Sequence, residues 1–231
     1  MKSTTIMNGI HLIGMGDVNS ILIETKSYLI LIDAGYPGME NHIFDKIQRL
    51  GRTQNDLKHL VFTHCHPDHI GSAAALVRAT GARTYMHEAD VIYAESGGPF
   101  RPMASASGLG ERVGLPLPWN PNQYVEPVYI DQHLVDDDIL PLAGGLRVIH
   151  APGHCAGQVA LLGQNGYLLV VGDVCTNIFG LGSPRWFEDE AEGRRSQRKL
   201  ANLDFEVAAF GHGNAIMQNA SARFRRTFGA R

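Results

Sequence analysis

His64-Cys65-His66-Pro67-Asp68-His69 places three imidazoles and a carboxylate in six consecutive positions, with a proline stiffening the middle. Imidazole is the commonest transition-metal ligand at neutral pH, and carboxylate is its hard, negative partner. Such groups are costly to bury unless paired or ligated, so the chemistry this spacing offers is metal binding. Three more polar residues stand at the ends of apolar runs beside glycine: His154 in Ala151-Pro152-Gly153-His154, Asp173 in Gly172-Asp173, and His212 in Gly211-His212-Gly213. Glycine permits close backbone approach and turn angles that other residues avoid. Each such end is weak evidence singly; the four together form a constellation.

The elements that must position them alternate between strand and helix. Ser20 to Glu24 and Tyr28 to Asp33 read as strands joined by a hairpin at Thr25-Lys26-Ser27. Ile43, Ile47 and Leu50 recur at helical spacing before Gly51. Leu57 to Thr63 predicts a strand that delivers the histidine cluster at its C-terminal end, where open α/β sheets place their sites. A helix over Gly71 to Ala79 and a short strand over Arg83 to Met86 follow. In the second half, Leu146 to His150 is a strand running into His154. Val159 to Leu162 and Tyr167 to Val171 flank Gln164-Asn165-Gly166, a hairpin signal. A helix over Glu190 to Leu203, a strand over Phe205 to Phe210 and a helix over Ala220 to Phe228 complete the chain.

The combined pattern resembles the metallo-β-lactamase superfamily. His64 to His69 matches its H-x-H-x-D-H signature; His154, Asp173 and His212 follow in the family's order over roughly residues 8–212. The resemblance implies an α/β fold, a four-layer αβ/βα sandwich of two mixed sheets with outer helices, in a single domain over 1–231. It implies two metals: His64, His66 and His154 on the first, Asp68, His69 and His212 on the second, and Asp173 bridging both. Nitrogen and oxygen donors with open positions suit catalytic zinc, with iron or manganese as alternatives. The implied reaction is hydrolysis of an ester, lactone or thioester of a small molecule by a metal-held hydroxide, with Asp68 orienting the nucleophile. The competing class is a mononuclear iron oxidoreductase of the persulfide dioxygenase type; a hydrolase with secondary β-lactamase activity is a further alternative. The resemblance also marks Asp33 as a support for the metal loop.

Composition agrees with a globular enzyme: 44% of residues are hydrophobic and 19% charged, at a net charge of −3. That balance argues against a nucleic-acid partner. Three cysteines without paired spacing suit a reducing compartment, and no apolar run is long enough for a membrane span. The expectation is therefore a cytoplasmic protein with a small-molecule substrate. Near-extended geometry would turn Cys65 away from the metals, and Cys155 and Cys175 are expected to pack. Residues 97–122 are rich in Pro, Gly and Ser and lack periodicity, which predicts a functional insert or lid. Its apolar side chains, including Trp119, together with Phe179, suit a substrate pocket or a homodimer interface equally. Tyr36 and Asn177 lie on loops expected to border the pocket, where either could donate a hydrogen bond to a developing oxyanion.

Overall fold

The structure, a computed structural model, describes residues 3–106, 119–163 and 165–229. Residues 107–118, and with them Leu115 and Leu117 of the expected lid, lie outside the described residues. The first half contributes β1 (Ser3–Met7), β2 (Ile10–Met15), β3 (Val18–Glu24), β4 (Leu29–Ile32), α1 (Glu40–Arg49), β5 (Leu57–Val61), α2 (Pro67–Ile70), α3 (Ala73–Thr80), β6 (Arg83–His87) and α4 (Glu88–Ser96). Then come β7 (Ala104–Ser105), β8 (Gln132–Leu134), β9 (Ile139–Leu140), β10 (Leu146–His150), β11 (Val159–Gly163), β12 (Leu168–Val170) and β13 (Trp186–Phe187). The chain closes with α5 (Glu190–Ala201), β14 (Val207–Ala209) and α6 (Ala220–Phe228).

Seven strands form one sheet in the order β1-β2-β3-β4-β5-β6-β8, and five form another in the order β14-β12-β11-β10-β9. Both are mixed. The first is antiparallel through β4 and parallel from β4 to β8. In the second, only β12 and β14 pair in parallel.

The layering follows from the two-residue period of strands, which sends successive side chains to opposite faces. On β4, Ile30 and Ile32 meet Val148, Leu161 and Val170 of the opposite sheet in one buried cluster. Leu29 and Leu31 point the other way, into a cluster with Ile43 and Ile47 of α1 and Leu76 of α3. The second sheet divides likewise. Leu168 and Val170 face the central cluster, while Leu169 packs outward with Leu200 of α5 and Phe224 of α6. Sheet on sheet with helices outside both is the expected four-layer sandwich. Each fully buried Leu, Ile or Val contributes about 1.5–3 kcal/mol by leaving water, so registry between the faces is strongly specified.

Where the expected elements differ, the polar residues explain it. β5 stops at Val61 because the Thr63 N–H leaves the ladder and donates to Asp33 Oδ1 at 2.8 Å. The hairpin between β11 and β12 turns at Asn165 and Gly166, both at positive φ (58° and 86°), as such a turn requires. Helix α4 has no counterpart in the sequence expectations. Its buried face consists of Asp90, Val91 and Ala94, too polar to announce itself by periodicity. No helix among the described residues is long and apolar enough to cross a membrane.

Candidate metal centre

Five strand ends build the site. β4 and β5 run parallel in the first sheet, and β10, β12 and β14 share a direction in the second. The segments after their C-terminal ends carry Asp33, His64 to His69, His154, Asp173 and His212. Within the central segment His66 is extended, and Pro67 opens the one-turn helix α2. Proline's fixed φ and missing N–H suit that first helical position. Cross-ties lock the segments together: the Val159 N–H donates to Thr63 O at 2.8 Å, and the Asn19 N–H of β3 donates to Gly211 O at 2.8 Å. The Asn19 side-chain amide also donates to Phe210 O and Gly213 O, joining the sheets beside His212.

All seven residues proposed from the sequence as ligands converge. His64, His66 and His154 present donor atoms within 4.8 Å of one another, as do His64, His69 and Asp173, and likewise Asp68, His69 and His212. The three-histidine group is deeply buried. Asp68 and His212 sit at the open side, with 18% and 15% of their side-chain surface exposed.

Hydrogen bonding fixes which ring nitrogens face inward. His154 Nδ1 lies 2.8 Å from the Trp186 carbonyl and His212 Nδ1 lies 2.7 Å from the Asp17 carbonyl. A carbonyl only accepts, so both Nδ1 atoms carry the proton. His69 Nδ1 is 2.9 Å from Asp33 Oδ2. Thr63 Oγ1 donates to Asp33 Oδ2 at 2.8 Å, so its lone pair receives the proton on His64 Nδ1, 3.0 Å away. Four histidines thus commit Nδ1 outward and turn Nε2 inward. His66 differs: its Nδ1 stands 3.0 Å from His154 Nε2. Among the described residues, His64 Nε2, His66 Nε2, His69 Nε2 and Asp173 Oδ1 are buried without a hydrogen-bond partner. Orphaned polar atoms in a dry interior are rare and costly, and a cation would satisfy His64 Nε2, His69 Nε2 and Asp173 Oδ1, which lie in one donor group.

The electrostatics divide the site in two. Burial, reinforced by neighbouring histidines, holds His64 and His66 well below the ordinary imidazole range; burial also lowers His154. Their lone pairs stay available. For His69 and His212 burial acts against the charged form, but Asp68 and Asp173 outweigh it and raise both well above that range. Burial likewise opposes the charge on Asp68 and Asp173, yet His69 and His212 pull both down. His212 Nε2 stands 3.1 Å from Asp173 Oδ2 and 3.3 Å from Asp68 Oδ2. Two anions that draw protons onto adjacent imidazoles would be answered equally well by a metal cation. The donor set therefore fits metal binding.

Of the other sequence candidates, Trp119 packs its ring 4.7 Å from that of His66 and donates Nε1–H to Arg101 O. Tyr36 is half-buried; burial first, then Asp68 and Asp17, raise its phenol, which stays protonated and able to donate. Asn177 donates its amide to Asn214 O at 2.7 Å, which ties its loop to the His212 segment. Phe179 is exposed and packs against nothing in the core clusters. Sequence reasoning missed Gln158. Wholly buried, it donates to Val159 O and accepts the Asp173 N–H at 3.3 Å. Its one signal is a polar residue immediately before an apolar strand.

Asp33 supports both halves. It takes an unusual positive φ of 61° and accepts from Thr63 N, Thr63 Oγ1 and His69 Nδ1. Asp33→Asn turns a donor toward donors, and outer partners of this kind are typically worth 10–100-fold in metal affinity. Metal titration of the variant is expected to show a loss of that order.

Fold and site together define a metal-dependent hydrolase with a His/Asp centre at one edge of a two-sheet sandwich. The profile of the metallo-beta-lactamase superfamily matches residues 13–212, and the chain belongs to that superfamily. It is 28% identical over 225 residues to the "Probable metallo-hydrolase YflN" of Bacillus subtilis, across 89% of this chain and 84% of that one. It is also 28% identical over 130 residues to the hydroxyacylglutathione hydrolase GloC of Haemophilus influenzae, across 55% of this chain and 54% of the other. Among solved structures, a beta-lactamase from Chitinophaga pinensis superposes with a TM-score of 0.74 at 22% identity, covering 98% of this chain and 89% of that one.

Proposed function

We propose that the chain hydrolyses an ester, lactone or thioester of a small molecule with two zinc ions. His64, His66 and His154 would hold one ion and Asp68, His69 and His212 the other, with Asp173 available to both. The observation that carries this reading is the pair of buried nitrogens without a hydrogen-bond partner, His64 Nε2 and His69 Nε2, grouped with Asp173, the second of them 3.6 Å from both Asp173 Oδ1 and Asp68 Oδ2. Zinc bound in such a set would supply a lowered pKa for water, polarisation of a carbonyl and stabilisation of a leaving oxygen or sulfur.

The chain's own residues do the rest. Asp68 Oδ2 is the partly exposed acceptor at the open side, placed to orient a water and take its proton. The buried three-histidine side, covered by Trp119, excludes bulk solvent from the carbonyl. Tyr36, kept protonated beside Asp68, donates a hydrogen bond to developing negative charge. The thioester option gains support from the Haemophilus relative, whose name specifies a hydroxyacylglutathione.

Metal analysis and turnover of the purified chain test this. About two zinc per chain, with hydrolysis of at least one member of a panel of aryl esters, lactones and acylglutathiones, is the expected result. One iron per chain with oxygen consumption would overturn it in favour of an oxidoreductase. Chelation should end turnover and lower thermal stability. A ligand at a thousand times its Kd stabilises the folded state by about 4 kcal/mol, which for a domain of this size corresponds to roughly 10 °C in Tm.

A further inference from the structure

Behind the three histidines lies a buried polar cluster that the proposed reaction does not use. Asp90, in the first turn of α4, is wholly buried. Its Oδ2 accepts the Cys65 N–H at 3.0 Å and the Cys155 thiol at 3.0 Å. Its Oδ1 accepts the Gly157 N–H at 3.0 Å and an Arg101 N–H. Cys65 stands between His64 and His66, and Cys155 follows His154. One carboxylate therefore grips both loops that carry the three-histidine set. Gly157 permits the approach: a Cβ there would stand 2.3 Å from Asp90 Cγ.

Arg101 completes the clamp. Its Nε donates to Glu188 Oε1 at 2.7 Å, and Glu188 Oε2 accepts the Ala156 N–H at 2.8 Å. Cys65, Asp90 and Cys155 also satisfy the spacing of a metal site. The Arg101 guanidinium occupies that position, 3.0 Å from Cys155 Sγ and paired to Asp90. A cation entering there would have to displace a cation, so the cluster's role is mechanical.

We propose that Asp90 is a positioning residue: it sets the separation of the 64–66 and 154–157 loops, and so the metal affinity of the three-histidine site, without touching metal or substrate. This rests on the two-metal reading above. A carboxylate bonded to four donors fixes two backbone N–H groups and a thiol at once, and a buried charge paired this way tolerates little displacement. Asp90→Asn keeps the shape but turns an NH2 toward those donors.

The test is competitive chelator titration of zinc on the full chain, reading both dissociation constants. The constant lost in His154→Ala identifies the three-histidine site. Asp90→Asn is expected to weaken that site 10–100-fold and leave the other within about twofold. Equal weakening of both sites, or of neither, would overturn the proposal while leaving the two-metal reading intact. A wild-type chain that binds no zinc would overturn both. Should Asp90→Asn fail to fold, Arg101→Lys carries the test. It keeps the charge but loses the fork between Asp90 and Glu188. Selective weakening of the three-histidine site supports the proposal, and two unchanged constants overturn it.

Discussion

His66→Ala is expected to lower kcat/KM on the order of 10³-fold or more for every substrate the chain turns over. The His66 ring sits at the centre of the buried group, with ring centroids 4.5 Å from His64, 4.8 Å from His154 and 4.7 Å from Trp119. Removing it takes a nitrogen from the three-histidine set and opens a gap beneath Trp119 that admits water. Metal stabilisation of transition-state charge is worth several kcal/mol, and each 1.36 kcal/mol is tenfold in rate. His11→Ala is the matched control. That buried ring bonds Thr5 Oγ1 at 3.1 Å and Glu24 Oε1 at 2.6 Å and belongs to none of the convergent donor groups, so its loss should reduce stability and spare the chemistry. Steady-state kinetics on both variants, with zinc content measured alongside, separates the cases. Undiminished turnover in His66→Ala would remove the proposed centre from the reaction.

That ligand candidates far apart in sequence meet at one edge is legible because each terminates an apolar strand. Leu146 to His150 reads as a strand and forms one; Ala220 to Phe228 reads as a helix and forms one. The sandwich is legible only through the family resemblance: β4 is apolar throughout, and it is the fold that divides its odd and even residues between two cores. What the sequence conceals is the support. Asp90 lies on a helix whose inward face mixes a carboxylate with small apolar residues. Arg101 lies in a Pro- and Gly-rich stretch without period, and nothing local shows that it reaches Glu188, far along the chain. Metal ligands cluster and carry recognisable spacing. The groups that hold them come singly from distant elements, and only the fold brings them together. The same limit applies to specificity. Trp119 and Phe179 are both plausible aromatic walls from sequence, yet one packs on a histidine of the site and the other is exposed.

Under the proposed two-metal reading, Gly211→Ala should leave the chain with one metal ion instead of two, without adding or removing any polar group. A Cβ at this position would lie 2.1 Å from Asp173 Oδ1 and 2.7 Å from His69 Cε1, closer than real contacts allow. The backbone cannot retreat. The Gly211 N–H donates to Gly172 O at 3.1 Å, and Gly211 O accepts from Asn19 N at 2.8 Å, so it is held from both sheets. Asp173 is held as well, through its N–H to Gln158. The carboxylate must therefore rotate away from His69 and His212, which dismantles the Asp68–His69–His212 side. The Asp90 clamp would keep the three-histidine side assembled. Zinc content is expected to fall from about two per chain to about one, and kcat/KM by roughly 10²–10³-fold, the scale of several kcal/mol in transition-state stabilisation. Gly182→Ala provides the comparison, because its nearest neighbour would be 4.0 Å from the new Cβ. Two zinc ions and undiminished turnover in Gly211→Ala would mean that Asp173 does not stand between the metals. Loss of both ions would mean that the Asp90 network does not hold the three-histidine side by itself.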